Sequence, residues 1–158
     1  MATKGQLTGM AGVYLAAAEL SLRGYIVAPT SRNAQGVDLL VSNSEGTSAI
    51  PIQVKTNSTT FSFWLLSEKC KLLESDDLFY ILINLRKYER EFFIIPNKEI
   101  VGKMREEKSK SSRSGQSEPS IWYSFLLEDA KPYQNKWQIL DDLLLNPDRR
   151  KINAYERE

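Results

Sequence analysis

Ile50, Ile52 and Val54 alternate with Pro51, Gln53 and Lys55. This period of two predicts a strand over 49–56, with aliphatic side chains on one face and an amide and an ammonium on the other. A shorter run, 37–42, places Val37, Leu39 and Val41 together and turns Asp38 the opposite way. Asn43-Ser44-Glu45-Gly46 between them has the polar, glycine-containing chemistry of a hairpin connection. Before the hairpin, Leu7, Met10, Ala11, Tyr14, Ala18 and Leu22 recur at helical spacing, which predicts a helix over 6–23 with that stripe as its apolar face. Gly9, Gly12 and Ala16 form a second, small-residue strip where a neighbouring backbone can approach closely, and Gly24 is a C-terminal stop. A strand at 25–29 follows.

Downstream, 61–66 reads as a strand with Trp64 buried, and 67–73 as a short helix in which Cys70 packs. The continuous apolar run 79–83 marks a central strand covered on both faces, and 92–95 pairs back on it across a charged turn. Asn97 is expected to cap a helix starting near residue 98, with Ile100, Val101 and Met104 as its apolar positions. A last helix over 137–145 docks through Trp137, Leu140 and Leu144. This order predicts an α/β domain, one mixed central β-sheet flanked by α-helices, spanning 1–158.

The polar faces carry the chemistry. Asp38, Gln53 and Lys55 converge on one side of the hairpin, where a carboxylate, an amide and a lysine can hold a divalent cation beside a water. The plain alternative is the solvent face of a half-buried strand pair. Glu19 lies at the border of the apolar stripe, either as an ordinary surface glutamate or as a carboxylate aimed at the sheet. Composition narrows the choice. The chain of 158 residues has a net charge of +1, so no global basic field steers it to nucleic acid, and a local patch would have to do so. It contains no histidine, which excludes histidine-based triads, His-ligated zinc and nucleases with a histidine base. A single cysteine excludes an internal disulfide and a cysteine-rich zinc site. No apolar run is long enough to span a bilayer and no secretory signal is evident, so a cytoplasmic protein with no membrane association is expected.

The helix with Glu19, the strand at 25–29, Gly36-Val37-Asp38 and then Ile52-Gln53-Val54-Lys55 together resemble the PD-(D/E)XK nuclease core, the restriction-endonuclease-like superfamily that includes Holliday-junction resolvases. The likeness covers roughly 5–57. Gln53 replaces the usual acidic residue of the second motif, as in Mrr-like endonucleases, whose motif reads QxK. The resemblance implies a nuclease hydrolysing phosphodiester bonds in DNA with Mg²⁺ or Mn²⁺. In that scheme Asp38 is the principal metal ligand, Gln53 offers its amide oxygen and Val54 its backbone carbonyl. Lys55 orients the attacking water or stabilises developing charge, and Glu19 binds the same ion or a second one. Some superfamily members work as homodimers. The alternative is a catalytically inactive module on the same fold, binding DNA or protein in a defence or mobile-element system.

Ser31, Arg32 and Asn33, in the loop leading into Asp38, are candidates for phosphate contacts, with ordinary turn chemistry as the alternative. Residues 103–113 read as a solvated helix end running into a basic, serine-rich mobile loop at 108–119, or as a phosphate-gripping arm. Trp64, Trp122, Tyr123 and Trp137 alternate with aliphatics as core residues do, which favours packing over base stacking. No GxxxxGK[ST] or GxGxxG signature is present, so nucleotide-driven and dinucleotide chemistry has no support.

Overall fold

The computed structural model describes residues 1–31, 36–59, 62–71, 76–86, 89–108 and 121–145. Helix α1 runs Lys4–Leu22. It starts at a reciprocal cap: Thr3 Oγ1 accepts the Gln6 N–H at 3.2 Å, and Gln6 Oε1 accepts the Thr3 N–H at 2.9 Å. Gly24, at φ +89°, turns the chain out of the helix.

Five strands form the central sheet: β1 (Ile26–Pro29), β2 (Leu39–Ser42), β3 (Ala49–Asn57), β4 (Phe79–Asn84) and β5 (Glu91–Pro96), hydrogen-bonded in that order. β1, β2 and β3 are antiparallel neighbours, β3 and β4 are parallel, and β4 and β5 are antiparallel. The hairpin at 37–56 and the buried central strand at 79–83 are therefore where the pattern placed them. A second, antiparallel sheet of Phe63–Leu66, Ile121–Leu126 and Arg105–Lys108, in that order, was not expected from the sequence. Residues 105–108, read as a helix end, are an edge strand whose four side chains are all exposed. The loop at 108–119 lies outside the described residues beyond Lys108.

Two cores sit on opposite faces of the central sheet. On one, Ala16 and Leu20 of α1 meet Ile50, Ile52, Val54, Ile81 and Ile83, joined by Leu140 and Leu144 of a helix at Gln138–Leu144. On the other, Tyr80, Leu82, Phe93 and Ile95 pack against Trp64 and Phe125 of the second sheet and against Cys70 and Ile100. Cys70 lies in a 3₁₀ turn, Glu68–Lys71.

Helix α1 uses the face that the apolar stripe did not indicate. Leu7, Tyr14 and Leu22 are 60%, 62% and 82% exposed, whereas Gly12, Ala16 and Leu20 are buried. The cause is proximity to β3: a Cβ on Gly12 would lie 1.7 Å from Thr56 Oγ1, so only a bare backbone fits there. Asn97 is the first residue of the helix Asn97–Lys103 rather than its cap, and Pro96 precedes it with no side-chain cap bond. Trp64, Tyr123 and Trp137 are buried, and the Trp64 indole N–H donates to the Ile83 carbonyl at 3.0 Å. These rings belong to the cores. Among the described residues, no helix is long and apolar enough to cross a membrane.

Candidate functional site

Asp38 sits at the bend that opens β2, and both neighbouring strands fix its backbone. Its N–H donates to the Ile52 carbonyl at 2.9 Å, and its own carbonyl accepts the Thr30 N–H at 3.0 Å. Thr30 Oγ1 also donates to the Val37 carbonyl at 2.5 Å. Gly36, at φ +77°, supplies the left-handed turn into this segment.

The side chain is held as firmly. Asp38 Oδ2 accepts the Val54 N–H at 2.7 Å, the short distance of a charge-assisted bond. Asp38 Oδ1 accepts no hydrogen bond among the described residues. Pairing between β2 and β3 ends at Leu39 and Ile52, so from Val54 onward this edge of β3 is not covered by β2. Ile52 and Val54 both direct peptide groups to that edge, since one accepts from Asp38 N–H and the other donates to its carboxylate. With a period of two, the Val54 carbonyl lies on the same side as its N–H.

Ile52 and Val54 are buried in the α1-side core, so Gln53 and Lys55 project from the opposite face. In register with them on β4 stand Tyr80 and Leu82, members of the other core. Asp38 belongs to this same side. Burial first, then the Cys70 thiol, then the charge of Asp38 push the Tyr80 phenol above its ordinary range. Gln53 Oε1 is buried and accepts no hydrogen bond, and the fully buried Tyr80 hydroxyl has the Cys70 thiol as its neighbour. Buried acceptors without a donor are uncommon and call for an explanation. Among the described residues no hydrogen bond or ion pair joins Lys55 to Asp38.

Glu19 is engaged elsewhere. Its carboxylate pairs with Arg23 at 3.2 Å, one turn along α1, and the Arg23 guanidinium lies 4.3 Å from the centroid of the Trp137 ring. Glu19 thus stands on the helix that covers the face opposite Gln53 and Lys55. No group of three acidic, histidine or cysteine residues able to hold a metal occurs among the described residues. Ser31 is exposed, immediately after Thr30; Arg32 and Asn33 lie outside the described residues. Thr30 and Tyr80, which the structure brings next to Asp38, were not singled out in the sequence, the second because it lies in a continuous apolar run.

No protein-family description and no curated protein matches the chain in sequence. In structure it is similar to a bacterial homing endonuclease, I-Ssp6803I, with a TM-score of 0.59 and 15% identity, over 95% of this chain and 99% of that one. The chain has a restriction-endonuclease-like fold. A looser likeness joins it to Hjc, a Holliday junction resolvase from the archaeal hyperthermophile Archaeoglobus fulgidus, with a TM-score of 0.46 and 12% identity over 75% of this chain and 91% of that one. At these identities the likeness speaks to the fold. Within it, Asp38 and the segment Gln53-Val54-Lys55 meet at the uncovered edge of β3.

Proposed function

We propose that the chain is a metal-dependent nuclease that hydrolyses phosphodiester bonds in DNA, with Asp38, Gln53 and Lys55 as its reactive set. The observation that carries this reading is the Asp38–Val54 hydrogen bond, which ties the carboxylate to the strand bearing Gln53 and Lys55. The donors suit a hard cation: a carboxylate oxygen left open at Asp38, the orphaned Gln53 Oε1 and the Val54 carbonyl are all oxygen ligands. Mg²⁺ or Mn²⁺ bound there would acidify a water and neutralise charge on the phosphoryl oxygens.

The protein's own contributions follow from where its groups stand. Asp38 is held in one rotamer by the Val54 N–H, so no side-chain reordering is needed when a cation arrives. Gln53 contributes an amide dipole without charge, so the site is one negative charge poorer than an Asp-Glu pair, and cation affinity is correspondingly modest. Lys55 supplies a cationic donor on the same face, suited to orient a water or to stabilise charge on the phosphate. Glu19 joins only if Arg23 releases it, and we place it outside the minimal set. Ser31, with Arg32 and Asn33, remains a phosphate-contact proposal, as does pairing of two copies for cleavage of both strands.

A second reading, an inactive nuclease-fold module that binds DNA or protein, is favoured by the absence of an acidic trio among the described residues. Incubation of supercoiled DNA with the protein and Mg²⁺ or Mn²⁺ decides between them. Nicking or linearisation by the wild type that is lost in Asp38→Asn and in Lys55→Ala supports the nuclease. Wild-type protein that binds DNA without cutting it under either ion supports the module.

A further inference from the structure

A cavity of about 380 Å³ continues the line of β3 beyond Lys55. Its walls are the first turns of α1 (Lys4, Gly5, Thr8), the end of β3 with the residues after it (Thr56–Thr59), and Phe63–Leu65 of the second sheet. The size falls within the range of small-ligand sites. The wall is tied together rather than frayed. Asn57 Nδ2 donates to the Phe63 carbonyl at 2.7 Å, and Thr59 Oγ1 donates to Asn57 Oδ1 at 2.9 Å. The Thr8 and Ser58 hydroxyls share one hydrogen bond at 3.3 Å across the gap between helix and strand. Only one of these two hydroxyls spends its proton in that bond, so the other keeps an O–H to give outward.

The cavity combines three kinds of group: the ammonium of Lys4, one surplus hydroxyl donor from the Thr8–Ser58 pair, and the apolar surface of Phe63 and of the 61% exposed Leu65. A cationic and hydroxylic rim over an apolar wall suits a sugar-phosphate unit better than a purely apolar or purely anionic ligand. Its position narrows the choice further. Ser58 is three residues beyond Lys55, on the order of 10 Å at ~3.3 Å per strand residue. That is about three nucleotides of rise along one nucleic-acid strand. The edge of β3 that β2 leaves uncovered starts at Asp38 and leads toward this cavity.

We infer that the cavity is a subsite for the nucleic-acid backbone, seating a sugar-phosphate unit about three nucleotides from the bond at the Asp38 centre, with Lys4 and Ser58 as its phosphate contacts. This inference rests on the nuclease-fold DNA reading and extends it from the reacting atoms to the path of the strand. Lys4 and Ser58 touch none of the metal-ligand candidates, so their loss acts on substrate affinity and leaves the cation site intact.

The test uses the full chain, Ca²⁺ to prevent turnover, and a set of 20-base-pair DNA duplexes, each with one phosphate replaced by a neutral methylphosphonate. The wild type is expected to lose roughly tenfold in affinity for the duplexes whose single neutral phosphate falls at one or two adjacent positions, those seated at the cavity. Lys4→Ala/Ser58→Ala is expected to bind the unmodified duplex about tenfold more weakly and to be indifferent to those same positions, while keeping its sensitivity elsewhere. Lys4→Glu, a single surface change, is expected to weaken binding further. Wild-type binding with variants that match it at every position overturns the subsite and leaves the nuclease reading standing. Wild-type protein that binds no duplex overturns both.

Discussion

The two faces of β3 differ in what they are built to do, although their residues alternate within one strand. Toward α1, Ile50, Ile52 and Val54 are buried among aliphatics, and the helix comes so close that Gly12 has no room for a side chain. Toward the second sheet, Gln53 and Lys55 interrupt the apolar layer, and Gln53 Oε1 is buried without a partner. The first face gains stability from burial at ~25 cal/mol per Å². The second holds the Gln53 amide oxygen without a partner, a cost of about 1–3 kcal/mol; the first has one such atom as well, Thr56 Oγ1 against Gly12.

Separate damage to the two faces is the strongest way to break the comparison. Asp38→Asn keeps an acceptor for the Val54 N–H, and together with Lys55→Ala it is expected to lower cleavage by roughly 10²–10⁴-fold with an unchanged melting temperature. Ile52→Ala is expected to do the reverse. It should cost about 2–5 kcal/mol in urea unfolding while the folded fraction still cuts. If Asp38→Asn instead lowers stability as much as Ile52→Ala does, the division of labour is wrong.

Gly12→Ala comes next. The new methyl meets Thr56 Oγ1 head-on, and the helix must shift, at about 1–3 kcal/mol. The same change at Gly9, where nothing lies within 4 Å of the added atom, is expected to stabilise the helix by up to ~1 kcal/mol. Equal effects at the two glycines, measured by thermal unfolding, would show that α1 does not sit on β3 as described. On the reactive face, Gln53→Glu restores a carboxylate and is expected to tighten Mn²⁺ binding by roughly tenfold, about 1.4 kcal/mol. Calorimetry finding no gain would remove Gln53 from the ligand set.

The smallest effect concerns pH. Burial, followed by its hydrogen bond to Asp141, holds the Tyr25 phenol above the ordinary value near 10, and burial does the same for Tyr80. A phenol with a raised folded-state pKa contributes stability that is complete below pH 10 and is lost as pH climbs above it. Unfolding midpoints are expected to fall above about pH 10, and Tyr25→Phe should flatten that decline. An identical alkaline slope in the variant would exclude Tyr25 as its source.

Much of this contrast was legible in the chain. The alternation at Ile50–Lys55 fixed which residues share a face, because a strand leaves side chains no other choice. The apolar run at Phe79–Ile83 likewise had to be a covered strand. Helix α1 was harder, since a stripe of Leu7, Tyr14 and Leu22 looks like a core face, yet the small-residue strip admits the closest approach to the sheet. Sequence periodicity measures hydrophobicity, whereas seating here depends on distance. Arg105–Lys108 went unseen because an edge strand with every side chain in water carries no period-two signal; Ile121–Leu126, the middle strand of that sheet, buries three consecutive residues and so shows no alternation either. Glu19 was legible as a carboxylate near the sheet, and the i,i+4 spacing to Arg23 that engages it was equally readable on the predicted helix, though it was not weighed there.

The most direct measurement is Mn²⁺ binding followed by electron paramagnetic resonance, on wild type and Asp38→Asn at equal concentration and pH. The expected result is a saturable weak site in the wild type that disappears in the variant while both remain folded. Equal Mn²⁺ uptake by the two proteins would contradict the assignment of a cation to the uncovered edge of β3.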